Sequence, residues 1–338
     1  MNGSDAGSDS DERTTVLYIT GSGRSGSTLL ERILGACPGF VNVGELIELF
    51  RWVAPHNERC GCGQTFSSCP FWQAVGERAY GGWSPETVER IVVLQRRVAR
   101  QRRLPQLLAH PHTGERFARD LAAYHDVYRR LYAAIRDEGH ARIIVDASKW
   151  PAQGFALARA PGLDVRVLHL IRDVRGVAFS WAKAGVTRPH ATPVHGSART
   201  AVRANMATHP VSRTALRWSA FQTEAEVIGR VLPYHARMRY EDLVADPVGT
   251  IRETQARLGL PVDDSALGHL NDDGVTLEAT HGLGGNPSRF RVGYQAFRLD
   301  ETWRRSMERS DRWAASLVAL PALLRYGYLR AVPAGGRR

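Results

Sequence analysis

A glycine- and serine-rich segment near the beginning of the chain has the spacing of a phosphate-binding loop. It reads Gly21-Ser22-Gly23-Arg24-Ser25-Gly26-Ser27-Thr28 and directly follows the β-rich run Val16–Thr20. The backbone N–H groups of such a loop, with the N-terminus of the helix that follows, form a cradle for an anion. Ser27 stands where the nucleoside-triphosphate pattern G-x-x-x-x-G-K-[ST] has its lysine, and Arg24 supplies a cation at another position. We therefore predict a site for a 5′-phosphate group, with a nucleotide-dependent kinase as the closest alternative among enzymes.

A second segment carries an arginine and a serine that are suited to a further anion. It runs from Leu168 to Trp181 and predicts a strand, a loop and a helix. Arg172 lies at the end of the strand, and Ser180 follows two turns into the helix, so that both can donate hydrogen bonds to one anion. Asp173 is expected to cap the helix. This second anion site and the missing lysine together argue against the kinase.

These motifs resemble the donor-binding elements of sulfotransferases that use 3′-phosphoadenosine 5′-phosphosulfate. Residues 24–28 are similar to the family's loop R/K-S-G-[ST]-T, and Arg172 and Ser180 match the arginine and serine that hold the donor's 3′-phosphate. Tyr240, in the segment RYEDL, resembles a strand-end tyrosine that lies near the adenine. Residues 280–291 occupy the place of a basic, glycine-containing loop over the 3′-phosphate. The resemblance covers about residues 14–310 and implies that the donor is held by Gly23, Arg24, Ser25, Gly26, Ser27, Thr28, Arg172, Ser180, Tyr240, Gly282 and Arg289.

Three side chains are candidates for the transfer chemistry. A sulfuryl group carries less charge than a phosphoryl group, so fixed cations can stabilise the leaving phosphate and no divalent metal is obligatory. The predicted cations are Arg24, beside the 5′-phosphate, and Lys149, just past the carboxyl end of a strand. Glu45 follows Gly44 at another strand end and is the candidate base. Here the chain resembles tyrosylprotein and trehalose sulfotransferases, in which a Gly-Glu pair at this distance from the phosphate loop supplies the base.

Two alternatives to this role of Glu45 stay open. Glu45 can instead be a helix-start residue that interacts favourably with the helix dipole. His281 and His195 are then the weaker candidates for the base.

Three of the four cysteines lie close together in the sequence. Cys60, Cys62 and Cys69 follow His56, and a zinc ion would take four such ligands in a tetrahedral arrangement. The C-x-C spacing is not that of a standard zinc finger, so zinc, a disulfide and free thiols that brace a loop all stay open, with the free thiols favoured. No metal is assigned, and Cys37 is expected to fill a helix end.

Short apolar strands alternate with helices along the chain. The predicted strands are Val16–Thr20, Arg142–Asp146, Val165–Ile171 and His235–Arg239, and predicted helices lie at Thr28–Leu34, at about Val174–Ala184 and from Asp246-Pro247 to about Leu258. This alternation predicts an α/β fold with a central parallel sheet. The resemblance specifies it as a P-loop-like three-layer α/β/α domain over residues 14–330. We expect a helical insertion over the sheet's carboxyl edge at 52–140, a lid loop at 185–215, a disordered acidic tail at 1–13 and a flexible tail at 331–338.

The composition is that of an ordinary globular protein with a strong basic balance. Lys and Arg number 45 against 34 Asp and Glu, which gives a net charge of +11 and favours anionic partners. An arginine-rich nucleic-acid-binding protein is the alternative from another class, but the cluster Arg96–Arg103 is simpler as a solvated helix face. We see no secretory leader and no apolar run of about 20 residues, and four cysteines are few. The expected setting is the cytoplasm, with a small hydroxyl-bearing acceptor as partner, no nucleic acid and no transmembrane segment.

Overall fold

The structure of the protein, a computed structural model, describes residues 13–183, 208–261 and 267–329. The predicted tails 1–13 and 331–338 lie outside the described residues, apart from residue 13, and so does the greater part of the predicted lid 185–215. His195, a weaker base candidate, lies outside them as well.

Five parallel strands form the central sheet. They are β1 (Thr14–Gly21), β2 (Phe40–Gly44), β3 (Ile143–Lys149), β4 (Leu163–Ile171) and β5 (His235–Arg239), in the order β2-β3-β1-β4-β5. β1 lies in the middle, where Val16 pairs with Ile144 of β3 and with Val165 of β4. Because the strands run parallel, their carboxyl ends meet at one edge, and the connections diverge to the two sides of β1. Ligand sites of such sheets lie in the crevice at that point.

Helices connect the strands and cover both faces of the sheet. The first part of the chain forms α1 (Ser27–Gly35), α2 (Leu46–Glu48) with a π-helical turn at Leu49–Val53, α3 (Pro70–Tyr80), α4 (Pro85–Val98), α5 (Leu104–Ala109) and α6 (Glu115–Glu138). The middle part forms α7 (Pro151–Leu157), α8 (Val174–Ala182), α9 (Val211–Gly229), α10 (Tyr240–Ala245) and α11 (Pro247–Arg257). An antiparallel hairpin of β6 (Gly274–Leu277) and β7 (Gly293–Ala296) precedes α12 (Thr302–Ser306), α13 (Arg309–Val318) and α14 (Leu320–Arg325).

Alternate side chains of β1 enter two separate cores. Val16 and Tyr18 pack with residues of α3, α4 and α6, whereas Leu17 and Ile19 pack with residues of α1 and α11. This period of two is that of a strand covered on both faces. The predicted three-layer α/β/α architecture with a central parallel sheet is therefore confirmed. Among the described residues, no helix is both long and apolar enough to cross a membrane.

The segment 52–140, which was predicted to be a helical insertion, contains the helices α3 to α6. Its placement differs in one respect from the expectation, because α6 packs against β1 and β3. Tyr124, Tyr128 and Tyr132 recur every four residues along α6 and are fully buried. This spacing directs all three rings to one side of the helix. The longest helix of the segment thus belongs to a helical layer on a face of the sheet and does not lie over its carboxyl edge.

Candidate active site

A cavity of about 550 Å³ lies at the carboxyl edge of the sheet, where β1, β2, β3 and β4 end. Most of the predicted site residues line it: Gly23, Arg24, Gly26, Ser27, Thr28, Glu45, Lys149, Arg172, Ser180 and Tyr240. Ser25, Gly282 and Arg289 do not belong to the lining. The structure therefore brings the donor-binding and the catalytic candidates together in one cavity.

The predicted phosphate loop leads from β1 into α1. The Gly26 carbonyl oxygen accepts hydrogen bonds from the N–H groups of Leu29 and Leu30, at 3.0 and 3.1 Å. Ser27 is the first residue of the helix, and the first N–H groups of a helix have no partner within it. The Ser25 hydroxyl is buried and has no hydrogen-bond partner among the described residues. The loop thus offers the kind of donors that an anion satisfies.

Arg24 lies at the crest of this loop in a strained backbone conformation. Its φ of 69° is left-handed, which is costly for a residue with a side chain and is concentrated at functional sites. Its guanidinium lies 5.0 Å from the ring centre of Trp181, and burial lowers the pKa of Arg24. The Trp181 ring N–H donates to the Gly23 carbonyl oxygen at 3.3 Å. Trp181, a functional residue that the sequence analysis missed, thus supports both the backbone and the cation of the loop.

Glu45 and Lys149 form an ion pair in the wall of the cavity. A carboxylate oxygen of Glu45 contacts the ammonium nitrogen of Lys149, and the two side chains are only 18% and 11% exposed. The ammonium also donates a hydrogen bond to the Ala147 carbonyl oxygen at 3.2 Å. Lys149 has a φ of 70° and is therefore strained in the same way as Arg24. Both predicted catalytic cations thus occupy left-handed backbone positions, Arg24 in the loop after β1 and Lys149 at the end of β3.

A close backbone contact explains the glycine before Glu45. Gly44 has a φ of 74°, and a Cβ atom there would lie 2.2 Å from the carbonyl oxygen of Leu283. The same oxygen accepts a hydrogen bond from the Glu45 N–H at 2.7 Å, and the Leu283 N–H donates to Val43 at 2.9 Å. Glu45 precedes α2, but its side chain makes no capping hydrogen bond there. Its position is therefore set by the Leu283 backbone and its carboxylate by Lys149.

A buried network joins the end of β3 to α2 and so connects the two partners of this ion pair. The Asp146 carboxylate is fully buried and accepts hydrogen bonds from the Tyr132 hydroxyl at 2.6 Å and from the Ser148 N–H at 2.8 Å. The Ser148 hydroxyl oxygen accepts from the Ile47 N–H at 3.0 Å. Burial raises the pKa of Asp146 to about 6. The sequence analysis missed this network. Two polar residues, Asp146 and Ser148, near the end of a buried strand could have indicated it.

Arg172, just before α8, and Ser180, near the end of α8, both line the cavity. The Arg172 guanidinium lies 4.7 Å from the ring centre of Tyr240 and donates to the Arg24 carbonyl oxygen at 3.0 Å. It also pairs with the Asp300 carboxylate at 3.3 Å. Asp173 caps α8, as predicted, by accepting from the Arg175 N–H at 2.9 Å. Asp300, which the sequence analysis missed, is thus the carboxylate that an anion at Arg172 would meet.

The structure places Gly282 and Arg289 differently from the expectation. The Arg289 guanidinium is buried and donates to the Glu58 carboxylate at 2.7 Å and to the Arg59 carbonyl oxygen at 3.1 Å. A buried carboxylate requires a cationic partner, and Arg289 fills that role. The loop that carries both residues does reach the cavity, but through Gly284, Gly285, Asn286 and Ser288.

Two of the three histidines considered in the sequence analysis, His281 and His56, do not line the cavity. His281, a weaker base candidate, has its Nδ1 atom 3.4 Å from the Cys69 sulfur. His56 stacks on Trp52 with ring centres 3.9 Å apart. The histidine beside the cysteines is therefore His281, whereas His56, which is nearer to them in sequence, stacks elsewhere.

Another part of the cavity lining, its positively charged wall, consists of arginine and aromatic side chains. Arg51 lies 5.2 Å from the ring centre of Trp150, and Arg217 lies 5.2 Å from that of Phe221. Burial, and then the neighbouring Arg213 and Arg51, lower the pKa of Arg217. The sequence analysis missed this wall, although the spacing of four between Arg213 and Arg217 is that of one helix face.

The sequence profile of the sulfotransferase family matches residues 17–264. The chain therefore belongs to the sulfotransferase family, and this membership indicates a transferase that moves sulfuryl groups. No curated protein sequence matches the chain.

Comparison with solved structures finds similarity to sulfotransferases. The sulfotransferase domain of the Synechococcus PCC 7002 olefin synthase has a TM-score of 0.50 at 16% identity, over 95% of this chain and 97% of that chain. The sulfotransferase domain from the curacin biosynthetic pathway has a TM-score of 0.44 at 16% identity, over 90% and 97%. Sulfotransferase STF1 from Mycobacterium tuberculosis H37Rv has 0.41 at 18% identity, over 76% and 71%. Identities this low describe similarity of fold alone.

Proposed function

We propose that the protein transfers the sulfuryl group of 3′-phosphoadenosine 5′-phosphosulfate to the hydroxyl group of a small acceptor. The observation that carries this proposal is that both groups of candidate anion-binding residues line one cavity together with the Glu45–Lys149 pair. A donor with phosphate groups at both the 5′ and the 3′ positions requires two such sites. A nucleoside triphosphate requires one extended site.

The phosphate loop and the N-terminus of α1 would hold the 5′-phosphosulfate. The buried Ser25 hydroxyl, which has no partner among the described residues, supports a bound anion here. Arg172 and Ser180 would hold the 3′-phosphate, with Tyr240 near the adenine. The phosphate would then share Arg172 with the Asp300 carboxylate, which is 46% exposed and thus able to turn towards solvent.

Glu45 would act as the general base. The acceptor oxygen attacks the sulfur, its proton passes to the Glu45 carboxylate, and the bond between sulfur and the bridging phosphate oxygen breaks. The leaving phosphate takes up the negative charge, and Lys149 and Arg24 stabilise it in a site that is largely shielded from water. Because Lys149 contacts Glu45, one ammonium group both orients the base and lies near the developing charge.

The positively charged wall supports an acceptor that is itself negatively charged. Arg51, Arg213 and Arg217 line the cavity together with Trp52 and Trp150. The Arg213 and Arg217 guanidinium groups would bind a carboxylate, sulfate or phosphate of the acceptor, while the rings pack on its apolar part. Arg51 is paired with the Glu48 carboxylate at 2.8 Å.

Thermal unfolding with nucleotides tests the donor assignment. Adenosine 3′,5′-bisphosphate should stabilise the protein by about 2.7 kcal/mol at a hundred times its dissociation constant. Adenosine 5′-phosphate and ATP should stabilise it far less at the same concentration, because neither has a 3′-phosphate for Arg172. Equal stabilisation by ATP would favour the kinase alternative.

A further inference from the structure

Three cysteines and a histidine from distant parts of the chain meet next to the cavity. Cys60, Cys62 and Cys69 lie between the π-helical turn and α3, and His281 lies in the loop after β6. The three sulfur atoms and the histidine nitrogen all lie within 4.8 Å of one another. We propose that these four residues bind a structural zinc ion.

Three of the six distances between these atoms match the edges of a zinc-centred tetrahedron. With zinc–sulfur and zinc–nitrogen bonds of about 2.3 and 2.05 Å, the sulfur–sulfur edge is about 3.8 Å and the sulfur–nitrogen edge about 3.5 Å. The Cys62 and Cys69 sulfurs are 3.8 Å apart. His281 Nδ1 lies 3.6 Å from the Cys60 sulfur and 3.4 Å from the Cys69 sulfur. A disulfide between Cys62 and Cys69 would instead require about 2.05 Å between the sulfurs.

The surrounding contacts hold the four side chains in this arrangement. The His281 ring stacks on Phe71 with centres 4.6 Å apart and planes within 5°. The Trp72 ring N–H donates to the His281 carbonyl oxygen at 2.9 Å. Cys60 and Cys69 are fully buried, and softness and preferred geometry make such a sulfur and imidazole set a zinc site. Packing and hydrogen bonds thus orient the four side chains towards one another.

A glycine between the first two cysteines permits the close approach of the two segments. The Gly61 N–H donates to the Gly282 carbonyl oxygen at 3.0 Å, and a Cβ atom at Gly61 would lie 2.6 Å from the Thr280 carbonyl oxygen. Cys60 and Cys62 therefore flank a backbone contact with the segment that carries His281. A zinc ion bound to Cys60, Cys62 and His281 would link these two segments next to their backbone contact.

The site has a structural role, because all four positions of the tetrahedron are filled by protein ligands. Its effect on the active site runs through Leu283, two residues after His281, whose carbonyl oxygen accepts from the Glu45 N–H. The ion would hold the loop 280–285 against the cysteine segment and thereby fix the backbone on which Glu45 rests. It would contact neither donor nor acceptor.

Metal analysis of the full chain, purified without chelators, tests the proposal. Wild type should contain about one zinc ion per chain. Cys62→Ser and His281→Ala should bind zinc at least about tenfold more weakly than wild type. Loss of a residue that only supports a zinc ligand already has an effect of that size. His281→Cys should retain it because a thiolate replaces the imidazole. Cys37→Ser is the matched control and should retain zinc, since Cys37 lies on the other side of the sheet and contacts the Ile33 carbonyl oxygen.

A second measurement on wild type covers the case in which the variants fail to fold. Exchange of the bound metal for cobalt should give the sulfur-to-metal charge-transfer bands and the intense visible absorption of tetrahedral cobalt thiolate. A mercurial thiol reagent should release zinc in step with thiol modification. The proposal is overturned if wild type contains no zinc and takes up neither zinc nor cobalt at micromolar concentration. A Cys62–Cys69 disulfide in the intact mass of the unreduced protein would also overturn it. Neither outcome bears on donor binding, which the thermal unfolding experiment measures separately.

Discussion

Replacement of Glu31 by glutamine should remove a loss of stability that wild type shows as the pH rises from about 5 to about 8. Glu31 lies on α1 behind the phosphate loop and is only 4% exposed. Burial raises its pKa from 4.5 to about 8, and the nearby Lys149 offsets only part of that rise. Between these two values the folded chain holds a proton that the unfolded chain has lost. The free energy of unfolding therefore falls as the pH rises, by about 1.36 kcal/mol per pH unit.

The magnitude follows from the width of this window. Between pH 5.5 and 7.5, wild type should lose about 3 kcal/mol of unfolding free energy relative to Glu31→Gln. A glutamine has no proton to lose, so the constant cost of burying its amide cancels when the two pH values are compared. Urea unfolding of both proteins at the two pH values measures the difference. Glu115→Gln, at a side chain that is 93% exposed, is the control and should run parallel to wild type. If wild type and Glu31→Gln also ran parallel, the buried carboxyl would not carry this proton.

Three further substitutions test the proposed roles in the cavity. Glu45→Gln should lower the single-turnover rate by roughly 10²–10⁴ on an aliphatic alcohol and by less on an acidic phenol, while donor affinity stays nearly unchanged. A rate near that of wild type would favour the interpretation of Glu45 as a helix-start residue. Arg172→Ala should weaken adenosine 3′,5′-bisphosphate binding by roughly 1.5–3 kcal/mol in calorimetry, and an equal loss for adenosine 5′-phosphate would refute a 3′-phosphate contact. Arg217→Gln should raise KM for a negatively charged acceptor about tenfold or more and leave a neutral analogue unaffected, because it removes one charge-assisted hydrogen bond. Loss for both acceptors alike would argue against charge recognition.

The strands were predictable because each is a short apolar run followed by a turn or a polar side chain. β5 has the predicted bounds, His235–Arg239, and β1 extends the predicted run at both ends. β3 begins one residue later than predicted and ends three residues further on, at Lys149. The strand order was not predictable, because it depends on which faces the helices cover. The adjacency of β2 and β3 brings Glu45 to Lys149, and no local pattern of either segment contains that contact.

The errors in the predicted site have the same physical origin. Arg289 lies in a segment with the composition of an anion-binding loop. Its partner, however, is the buried carboxylate of Glu58, in a distant segment. His56 is near the cysteines in the sequence, whereas the loop after β6 brings His281 to them in the structure. A side chain whose role depends on a local motif, such as the helix cap Asp173, was easier to assign than those whose partners come from elsewhere in the chain.

Transfer of radioactive sulfur from 3′-phosphoadenosine 5′-phosphosulfate to a panel of negatively charged and neutral hydroxyl compounds tests the central claim most directly. Wild type should form labelled acceptor and adenosine 3′,5′-bisphosphate in equal amounts, and Arg172→Ala should form much less of both at the same donor concentration. Phosphate transfer from ATP to the same compounds, with no sulfur transferred from the sulfuryl donor, would contradict the account.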